Sequence, residues 1–277
     1  MHYTEVNIRL KELNPFSDII VARFHEIEFE SYIEDENGVK AYIQTHLLDE
    51  ELVNSILVEV SEQTDLSYKI NQVEPENWNR KWENNFLPIF INDKCVVRAN
   101  FHEPIADIEY EIVITPKMSF GTGHHETTSL VMNQMFELDF KNKSVLDIGS
   151  GTGVLAILAS LLGANYLVGV DIDDWAFKNG IDNANINNVF NIKFFHGNIK
   201  LISEEKFDVI LANINRNIIL QDIKNYVELM NERSDILLSG FLKDDVALIL
   251  DKSEQLGLKL VGQKNNNKWQ MLHLRKA

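Results

Sequence analysis

Alternating glycines after a buried strand are the strongest chemical feature of this sequence. Residues 145–154 read VLDIGSGTGV, in which a short apolar strand runs into three glycines and then into an apolar helix. Glycines at such a turn allow positive backbone angles, and they let a ligand lie against bare N–H groups at the helix N-terminus. The pattern predicts a ligand cradle at residues 147–153, with Gly149 and Gly151 among the binding residues.

A carboxylate stands at the end of the next predicted strand. Asp171 follows Gly151 by twenty residues, a position at which an acidic side chain can accept both hydroxyls of a ribose. Residues 151–156 also fit a relaxed G-x-G-x-x-A dinucleotide fingerprint, which is weak by itself. Asp147 argues against a dinucleotide because its charge would lie near the pyrophosphate, and no dehydrogenase substrate half follows. An anionic group suits a sulfonium cofactor with an amino group, so we favour S-adenosylmethionine.

A second segment, rich in glycine and hydroxyl groups, precedes this cradle. Residues 115–128 read TPKMSFGTGHHETT, a composition typical of a loop that closes over a ligand. A metal site at the triplet HHE (residues 124–126) is the minority alternative, since three consecutive residues cannot converge on one ion in regular structure. We therefore predict no metal, a helix beginning near Thr127, and a cofactor contact from Thr128.

The third feature is Asn213, which ends the fourth predicted strand in the segment FDVILANIN. Ligands of open α/β sheets bind beyond the carboxyl ends of the strands, so the Asn213 amide is predicted to face the methyl-transfer point. Methyltransferases of adenine or glutamine amines resemble one another in an Asn/Asp-Pro-Pro-aromatic motif at this place. This chain has Asn213-Ile-Asn215-Arg216 instead, which argues against those substrates.

Strands and helices alternate through the second part of the chain, which predicts a mostly parallel, Rossmann-like sheet covered on both faces. With its C-terminal antiparallel hairpin, this α/β order resembles the class I S-adenosylmethionine methyltransferases. The predicted strands are 145–148, 167–170, 192–195, 208–212, 236–239, 258–263 and 269–274. The predicted helices between them are 154–162, 175–185, 218–230 and 244–256.

The front of the chain predicts a small ferredoxin-like α+β domain of order βαββαβ. Apolar and polar residues alternate along its first strand, and Asn37-Gly38 accepts the positive φ angles of a type I′ hairpin turn. Pro75 interrupts the pattern, and a linker helix is predicted to follow it. The predicted domains are a ferredoxin-like domain at 1–75, a linker helix at 76–90 and a methyltransferase domain at 91–277.

Negative charge is concentrated at the front of the chain. Residues 1–75 carry five Lys/Arg against sixteen Asp/Glu, a net charge of −11 within a total of −16 for the whole sequence. Such a field repels phosphate backbones and attracts basic partners. We therefore predict a basic protein partner and no direct contact with nucleic acid.

The remaining bulk properties point to an ordinary globular enzyme. Apolar residues make up 45% of the chain and charged residues 25%, as in typical soluble domains. The most apolar stretch, residues 154–170, is too interrupted for a membrane span, and the N-terminus lacks a signal-peptide pattern. The single cysteine, Cys95, excludes an internal disulfide and is best interpreted as an apolar filler on a strand. We predict a cytoplasmic enzyme without membrane contact.

Four segments, FGTGHHETT, DIGSGTG, GVDID and LANIN, together closely resemble the PrmA family, the methyltransferases of large-subunit ribosomal protein eleven. The resemblance covers essentially the whole chain, and it implies that Thr128, Gly149, Asp171 and Asn213 contact S-adenosylmethionine. It also implies methylation of lysine side-chain amines and of the N-terminal amine of that ribosomal protein, with the front domain gripping the substrate. Asn198 departs from many class I methyltransferases, which have an Asp there for the adenine amino group.

Two alternatives from other classes share the same cofactor core. One is an RNA or other nucleic-acid methyltransferase, which the missing proline motif and the lack of a basic face disfavour. The other is a non-enzymatic cofactor-binding module that uses the acidic front domain as an adaptor.

No residue is predicted as a general base, and a narrow apolar entry near Phe120 and Asn213 is expected to favour the neutral form of the amine.

Overall fold

The computed structural model describes residues 2–73, 86–116, 125–202 and 205–277. The chain divides into two compact units, Met1–Trp82 and Glu83–Ala277. The linker helix predicted at 76–90 falls mostly on residues 74–85, which lie outside the described residues. The linker helix and the predicted domain boundaries therefore stay predictions.

The first unit has the ferredoxin-like arrangement that the sequence predicts. Its elements are β1 Tyr3–Leu10, α1 Phe16–His25, β2 Ser31–Asp35, β3 Gly38–Gln44, a short 3-10 helix Thr45–Leu47, α2 Glu50–Ser61 and β4 Leu66–Val73. The strands form one sheet in the order β2-β3-β1-β4, and every neighbouring pair is antiparallel. Val6 and Ile8 of β1 lie on the same face and pack with Phe24 and Leu57 of the helices, so alternation along β1 supplies the core.

The hairpin between β2 and β3 differs from the predicted turn. Asp35 pairs with Gly38, so the central turn residues are Glu36 and Asn37. Neither of them has a positive φ, and the Asn37 N–H donates to Asp35 Oδ1 at 2.8 Å. The antiparallel pairing is confirmed, but the type I′ turn was wrong, because the Asp35 carboxylate stabilises a turn that needs no left-handed residue.

The second unit contains two sheets within its described residues. The small sheet has the order β5-β6-β7, and the large one has the order β10-β9-β8-β11-β12-β14-β13. The strands are β5 Ile89–Ile91, β6 Cys95–Ala99, β7 Tyr110–Ile114, β8 Ser144–Ile148, β9 Tyr166–Asp171, β10 Ile192–His196, β11 Phe207–Asn213, β12 Met230–Leu242, β13 Leu258–Asn266 and β14 Trp269–Lys276. The helices are α3 Glu126–Met135, α4 Val154–Leu161, α5 Asp174–Ile186, α6 Arg216–Glu228 and α7 Val246–Gln255, with short 3-10 helices at Ile199–Leu201 and Lys243–Asp245.

Strand direction in the large sheet confirms the predicted class I methyltransferase fold. Strands β8 to β12 are mutually parallel, whereas β14 runs antiparallel to both of its neighbours. The chain leaves β8 toward β9 on one side and later returns to β11 on the other. Ligands of such sheets bind where the strand order reverses. The ligand site is therefore expected at the carboxyl ends of β8 and β11.

Alternate residues of the central strands face two different buried clusters, one on each side of the sheet. Val145 and Leu211 belong to the cluster that includes α3, α4 and the small sheet. Leu146 and Ile210 belong to the cluster that includes α6 and α7. Helices therefore cover both faces, as the continuous apolar strands predict.

The small sheet β5-β6-β7 was not predicted from the sequence. Its strands have only three to five residues, too few for a hydrophobic period to stand out. Cys95 begins β6 and is completely buried, and burial raises the pKa of its thiol to about 12. The interpretation of Cys95 as an apolar filler on a strand is confirmed.

Candidate functional site

The loop between β8 and α4 carries three glycines at positive φ. Gly149, Gly151 and Gly153 have φ angles of 67°, 55° and 77°, a region that is costly for residues with a Cβ atom. The Gly149 N–H donates to the carbonyl oxygen of Val170 at 2.8 Å, which ties the loop to the end of β9. The turn itself requires glycine, as the sequence predicts.

Asp171 ends β9 directly beside this loop. Its Oδ2 accepts the Gly151 N–H at 2.8 Å, and its Oδ1 accepts the Asp173 N–H at 3.0 Å. Two backbone donors thus hold the carboxylate in one orientation, while each oxygen keeps capacity for another donor. An oriented carboxylate of this kind can accept ribose hydroxyls.

Asp147 lies beneath the glycine loop and is only 1% exposed. The pKa of its carboxyl is raised to about 7, mainly because burial disfavours the charged form and in smaller part because Asp171 is negatively charged. The Ala156 N–H, which donates to Asp147 Oδ2 at 3.2 Å, lowers this pKa in part. A cationic ligand nearby would stabilise the ionised form, so the electrostatics favour a positively charged ligand over a pyrophosphate.

Asn213 ends β11 with one half of its amide engaged and the other half unpartnered. Its Nδ2 donates to Thr128 Oγ1 at 3.2 Å. Its Oδ1 is buried and has no hydrogen-bond partner within the described residues. An unpaired buried carbonyl is costly, so this oxygen is a ready acceptor for an N–H group of a ligand.

A cavity of about 730 Å³ joins these groups. Gly149, Gly151, Asp171 and Asn213 all line it. Thr128, the fifth predicted site residue, is completely buried and does not line the cavity. Its Oγ1 accepts a hydrogen bond from Asn213, which does. The structure therefore gathers four predicted residues around one space and places the fifth where it orients the Asn213 amide.

One wall of the cavity comes from residues that sequence reasoning missed. Trp269, the first residue of β14, lines the cavity with His125, and their ring centroids are 4.6 Å apart. His125 also caps α3, since its Nδ1 accepts the Thr127 N–H at 3.3 Å. The predicted helix start near Thr127 is confirmed. Trp269 was missed because no local sequence pattern indicates that it lies beside His125.

Apolar side chains line the cavity beyond Asp171. Ile172, Ile199 and Ile218 come from three different segments and provide surfaces suited to a flat ring. Asn198 lines the same region, and its Oδ1 accepts the Lys200 N–H at 3.0 Å. This oxygen is thus already engaged in capping a 3-10 helix.

Part of the loop predicted at 115–128 lies outside the described residues. This part is 117–124, so the predicted apolar entry near Phe120 stays a prediction. Among the residues that the structure describes, no cluster of three or more His, Cys, Asp or Glu is arranged to hold a metal ion. In the same residues, no helix is long and apolar enough to cross a membrane.

Comparison with known proteins identifies the family. The family model for ribosomal protein L11 methyltransferase (PrmA) matches residues 13–277. The ribosomal protein L11 methyltransferase of Phocaeicola vulgatus is 44% identical over 97% of both chains, and that of Bacteroides thetaiotaomicron is 42% identical over 91% of both. The chain belongs to the PrmA family. It is thus a member of a family of S-adenosylmethionine-dependent methyltransferases, as the sequence motifs predict.

A solved structure of the same family agrees with this assignment. The ribosomal protein L11 methylase of Lactobacillus delbrueckii subsp. bulgaricus is 26% identical and superimposes with a TM-score of 0.64. The match covers 69% of the PrmA chain described here and 99% of the solved one. It supports the methyltransferase fold of the large sheet.

The cavity residues fit the cofactor that the family uses. S-adenosylmethionine combines a nucleoside, a sulfonium and an amino acid, and the site offers matching chemistry for the ribose and for the positive charge. Asp171 would hold the ribose hydroxyls, while the buried Asp147 would favour the positive charge. The unpartnered Asn213 Oδ1 would face the end of the cofactor where transfer occurs.

Proposed function

We propose that this PrmA protein transfers methyl groups from S-adenosylmethionine to ribosomal protein L11, on lysine side-chain amines and on the N-terminal amine. Family membership supports the substrate, since the relatives carry that activity in their names. The observation that carries the chemistry is the buried Asn213 Oδ1, an acceptor that has no partner among the described residues and belongs to a side chain at the cavity. The excess of carboxylates at residues 1–75 suits a basic protein substrate.

Cofactor binding is proposed for Gly149, Gly151, Asp171, Asn213 and Thr128. The glycines offer backbone at close approach, and Asp171 is held by two backbone N–H groups in an orientation suited to a ribose. Thr128 acts through Asn213, whose Nδ2 it fixes. The bound cofactor would supply a methyl group on a positively charged sulfur, and S-adenosylhomocysteine, a neutral thioether, would be the leaving group.

The protein's contribution to transfer is alignment of a neutral amine. The amine nitrogen must approach the methyl carbon in line with the bond that breaks. Asn213 Oδ1 can accept an N–H of the incoming amine and hold its lone pair toward the cofactor. A free lysine has a pKa of about 10.4, so the apolar cavity walls assist by disfavouring its charged form.

An incubation with labelled S-adenosylmethionine, separated ribosomal proteins and ribosomal RNA tests the proposal. We expect label in ribosomal protein L11 alone. Label in RNA would favour a nucleic-acid methyltransferase instead. Absence of label from every fraction, with cofactor binding intact, would favour a non-enzymatic binding module.

The same assay with Asn213→Ala tests the transfer site. Loss of the acceptor should misplace the amine and lower the rate by about 100-fold. Asn215→Ala is the matched control, because Asn215 lines the same cavity but caps α6 through the Ile218 N–H. We expect Asn215→Ala to have a lower free energy of unfolding but an unchanged rate of methyl transfer. A wild-type rate and cofactor affinity in Asn213→Ala would show that the assignment is wrong.

A further inference from the structure

Asparagines spaced four residues apart, two in α5 and one directly after its last residue, occupy the side of β7 where a neighbouring strand would pair. Asn179, Asn183 and Asn187 lie on one face of the helix. Asn187 Oδ1 accepts the Val113 N–H at 2.8 Å, and its Nδ2 donates to the Val113 carbonyl oxygen at 2.6 Å. One turn earlier, Asn183 Oδ1 accepts the Thr115 N–H at 2.8 Å. Side-chain amides thus satisfy backbone groups at the edge of the small sheet.

Asn183 also reaches the glycine loop. Its Nδ2 donates to the carbonyl oxygen of Thr152 at 2.9 Å, and both residues are completely buried. The Nδ2 of Asn187, by contrast, donates only to backbone of β7 and of its own helix. Of these two asparagines, Asn183 alone joins the edge of the small sheet to the loop.

The loop depends on such contacts because glycines have no side chain to anchor it. Gly151 and Gly153 flank Thr152, and both have positive φ. On one side of this segment, Asp171 Oδ2 holds the Gly151 N–H. On the other side, Asn183 holds the Thr152 carbonyl. Both bonds act on residues 151 and 152 and help to set how this part of the loop backbone faces the cavity.

We propose that Asn183 is a positioning residue for S-adenosylmethionine, setting cofactor affinity through the Thr152 carbonyl. Without its Nδ2, that buried carbonyl loses a hydrogen bond, a loss costly enough to favour local rearrangement. A shifted loop moves the N–H groups that line the cavity away from the ligand. The inference rests on the proposed function only in that the glycine loop binds this cofactor.

Comparison of Asn183→Ala with Asn187→Ala tests the inference. Both variants lose amide contacts to the segment that includes β7, but only Asn183→Ala loses the contact to the loop. Isothermal titration with S-adenosylhomocysteine should show about a tenfold weaker Kd in Asn183→Ala, equivalent to about 1.4 kcal/mol. Asn187→Ala should bind as the wild type does, even where its thermal unfolding temperature falls.

Hydrogen–deuterium exchange shows whether the change is confined to the glycine loop, since a general loss of stability would speed exchange throughout the second unit. Peptides covering residues 146–156 should exchange faster in Asn183→Ala and at the wild-type rate in Asn187→Ala. Asn183→Asp, measured at about pH 9 to favour ionisation of the buried carboxyl, separates the two bonds, since an ionised carboxylate accepts the Thr115 N–H but cannot donate to the Thr152 carbonyl. We expect this variant to weaken the binding of S-adenosylhomocysteine as Asn183→Ala does.

Three results would overturn the inference. The first is an equal loss of affinity in the Asn183 and Asn187 variants, and the second is unchanged affinity and exchange in both Asn183 variants. The third is a failure of both Asn183 variants to fold while Asn187→Ala folds, which would assign Asn183 to stability alone. S-adenosylhomocysteine needs no methyl acceptor, so wild-type binding without transfer to ribosomal protein L11 would defeat only the proposed function.

Discussion

Asp147 is the residue whose acid–base chemistry depends most on its surroundings. Its pKa rises from 3.8 to about 7 because burial disfavours the charged form. The folded state therefore binds the proton more tightly than the unfolded chain does. Stability from this group is fully present below about pH 4 and is lost as the pH rises toward 7.

Asp147→Asn should remove that pH dependence. The substituted amide keeps an oxygen that can accept the Ala156 N–H, but it carries no charge. We expect its free energy of unfolding to exceed that of the wild type by more at pH 8 than at pH 5. Within this window the difference should grow by at most about 1.4 kcal/mol per pH unit.

Urea unfolding at the two pH values is the measurement, with Asp251→Asn as the control at an exposed position of α7. The control should change the free energy of unfolding by the same amount at both pH values. A difference between Asp147→Asn and the wild type that does not vary with pH would contradict the raised pKa.

Residue types alone predicted the cofactor chemistry of the site, but they did not predict how the site residues hold one another. Asn213 and Thr128 are 85 positions apart and were predicted as separate cofactor contacts, yet they share a hydrogen bond. Asn183 and Thr152 are 31 positions apart, and Asn183 was not singled out. Partners of this kind come together only through the topology of the sheet, which no local pattern encodes.

Among the elements, hydrophobic periodicity predicted the strands of the large sheet because fully buried parallel strands are continuous apolar runs. It placed β12 at 236–239, whereas the strand runs from Met230 to Leu242. The polar run 231–235 concealed its beginning. β12 pairs with β11 at Met230 and again from Asp235, with an irregular register between them, and such a stretch shows no alternation.

Phe194 of β10 packs where three glycines leave room for its ring. A Cβ atom on Gly169 of β9 would lie 2.7 Å from Phe194 Cδ1, and one on Gly180 of α5 would lie 2.9 Å from Cε1. A Cβ atom on Gly153 would lie 3.2 Å from Cζ. The ring thus joins two strands, a helix and the glycine loop, so its space must be kept free on each of these sides.

Gly169→Ala is therefore expected to lower the free energy of unfolding by about 1 to 3 kcal/mol, the usual cost of overpacking. Gly262→Ala on β13 is the matched control, because no atom beyond its two chain neighbours lies within 4 Å of its added Cβ. The control should be neutral or slightly stabilising, since alanine reduces the entropy of the unfolded chain. Urea denaturation of both variants is the measurement, and equal effects would refute the packing argument.

At the scale of the whole molecule, charge is distributed unequally along the chain. Residues 1–75 hold −11 of the total −16, so the field of the first unit attracts cations over a distance set by the salt concentration. S-adenosylhomocysteine carries no net charge at neutral pH, so its binding depends much less on this field. Substrate capture and cofactor binding should therefore respond differently to salt.

We expect the KM for ribosomal protein L11 to rise severalfold between about 0.05 M and about 0.3 M salt, because screening weakens charge attraction. The Kd for S-adenosylhomocysteine should change little. Replacing the exposed Glu34 and Glu36 by Gln should flatten the salt dependence of KM. Steady-state kinetics and titration at several salt concentrations provide the measurement.

A matched pair in the second unit, Asp244→Asn with Glu254→Gln, removes the same charge from exposed positions of that unit. It should leave the salt dependence of KM as in the wild type. An identical effect of the two pairs would show that net charge, rather than its placement at the front, governs substrate capture.

The position of β14 constrains the order in which the molecule is completed during synthesis. β14 lies between β12 and β13 in the sheet, although it is made after both of them. Until it is translated, β13 has no pairing strand, and the cavity lacks the wall that Trp269 supplies. A nascent chain can thus form the glycine loop early, but the cavity wall that contains Trp269 forms only when β14 inserts.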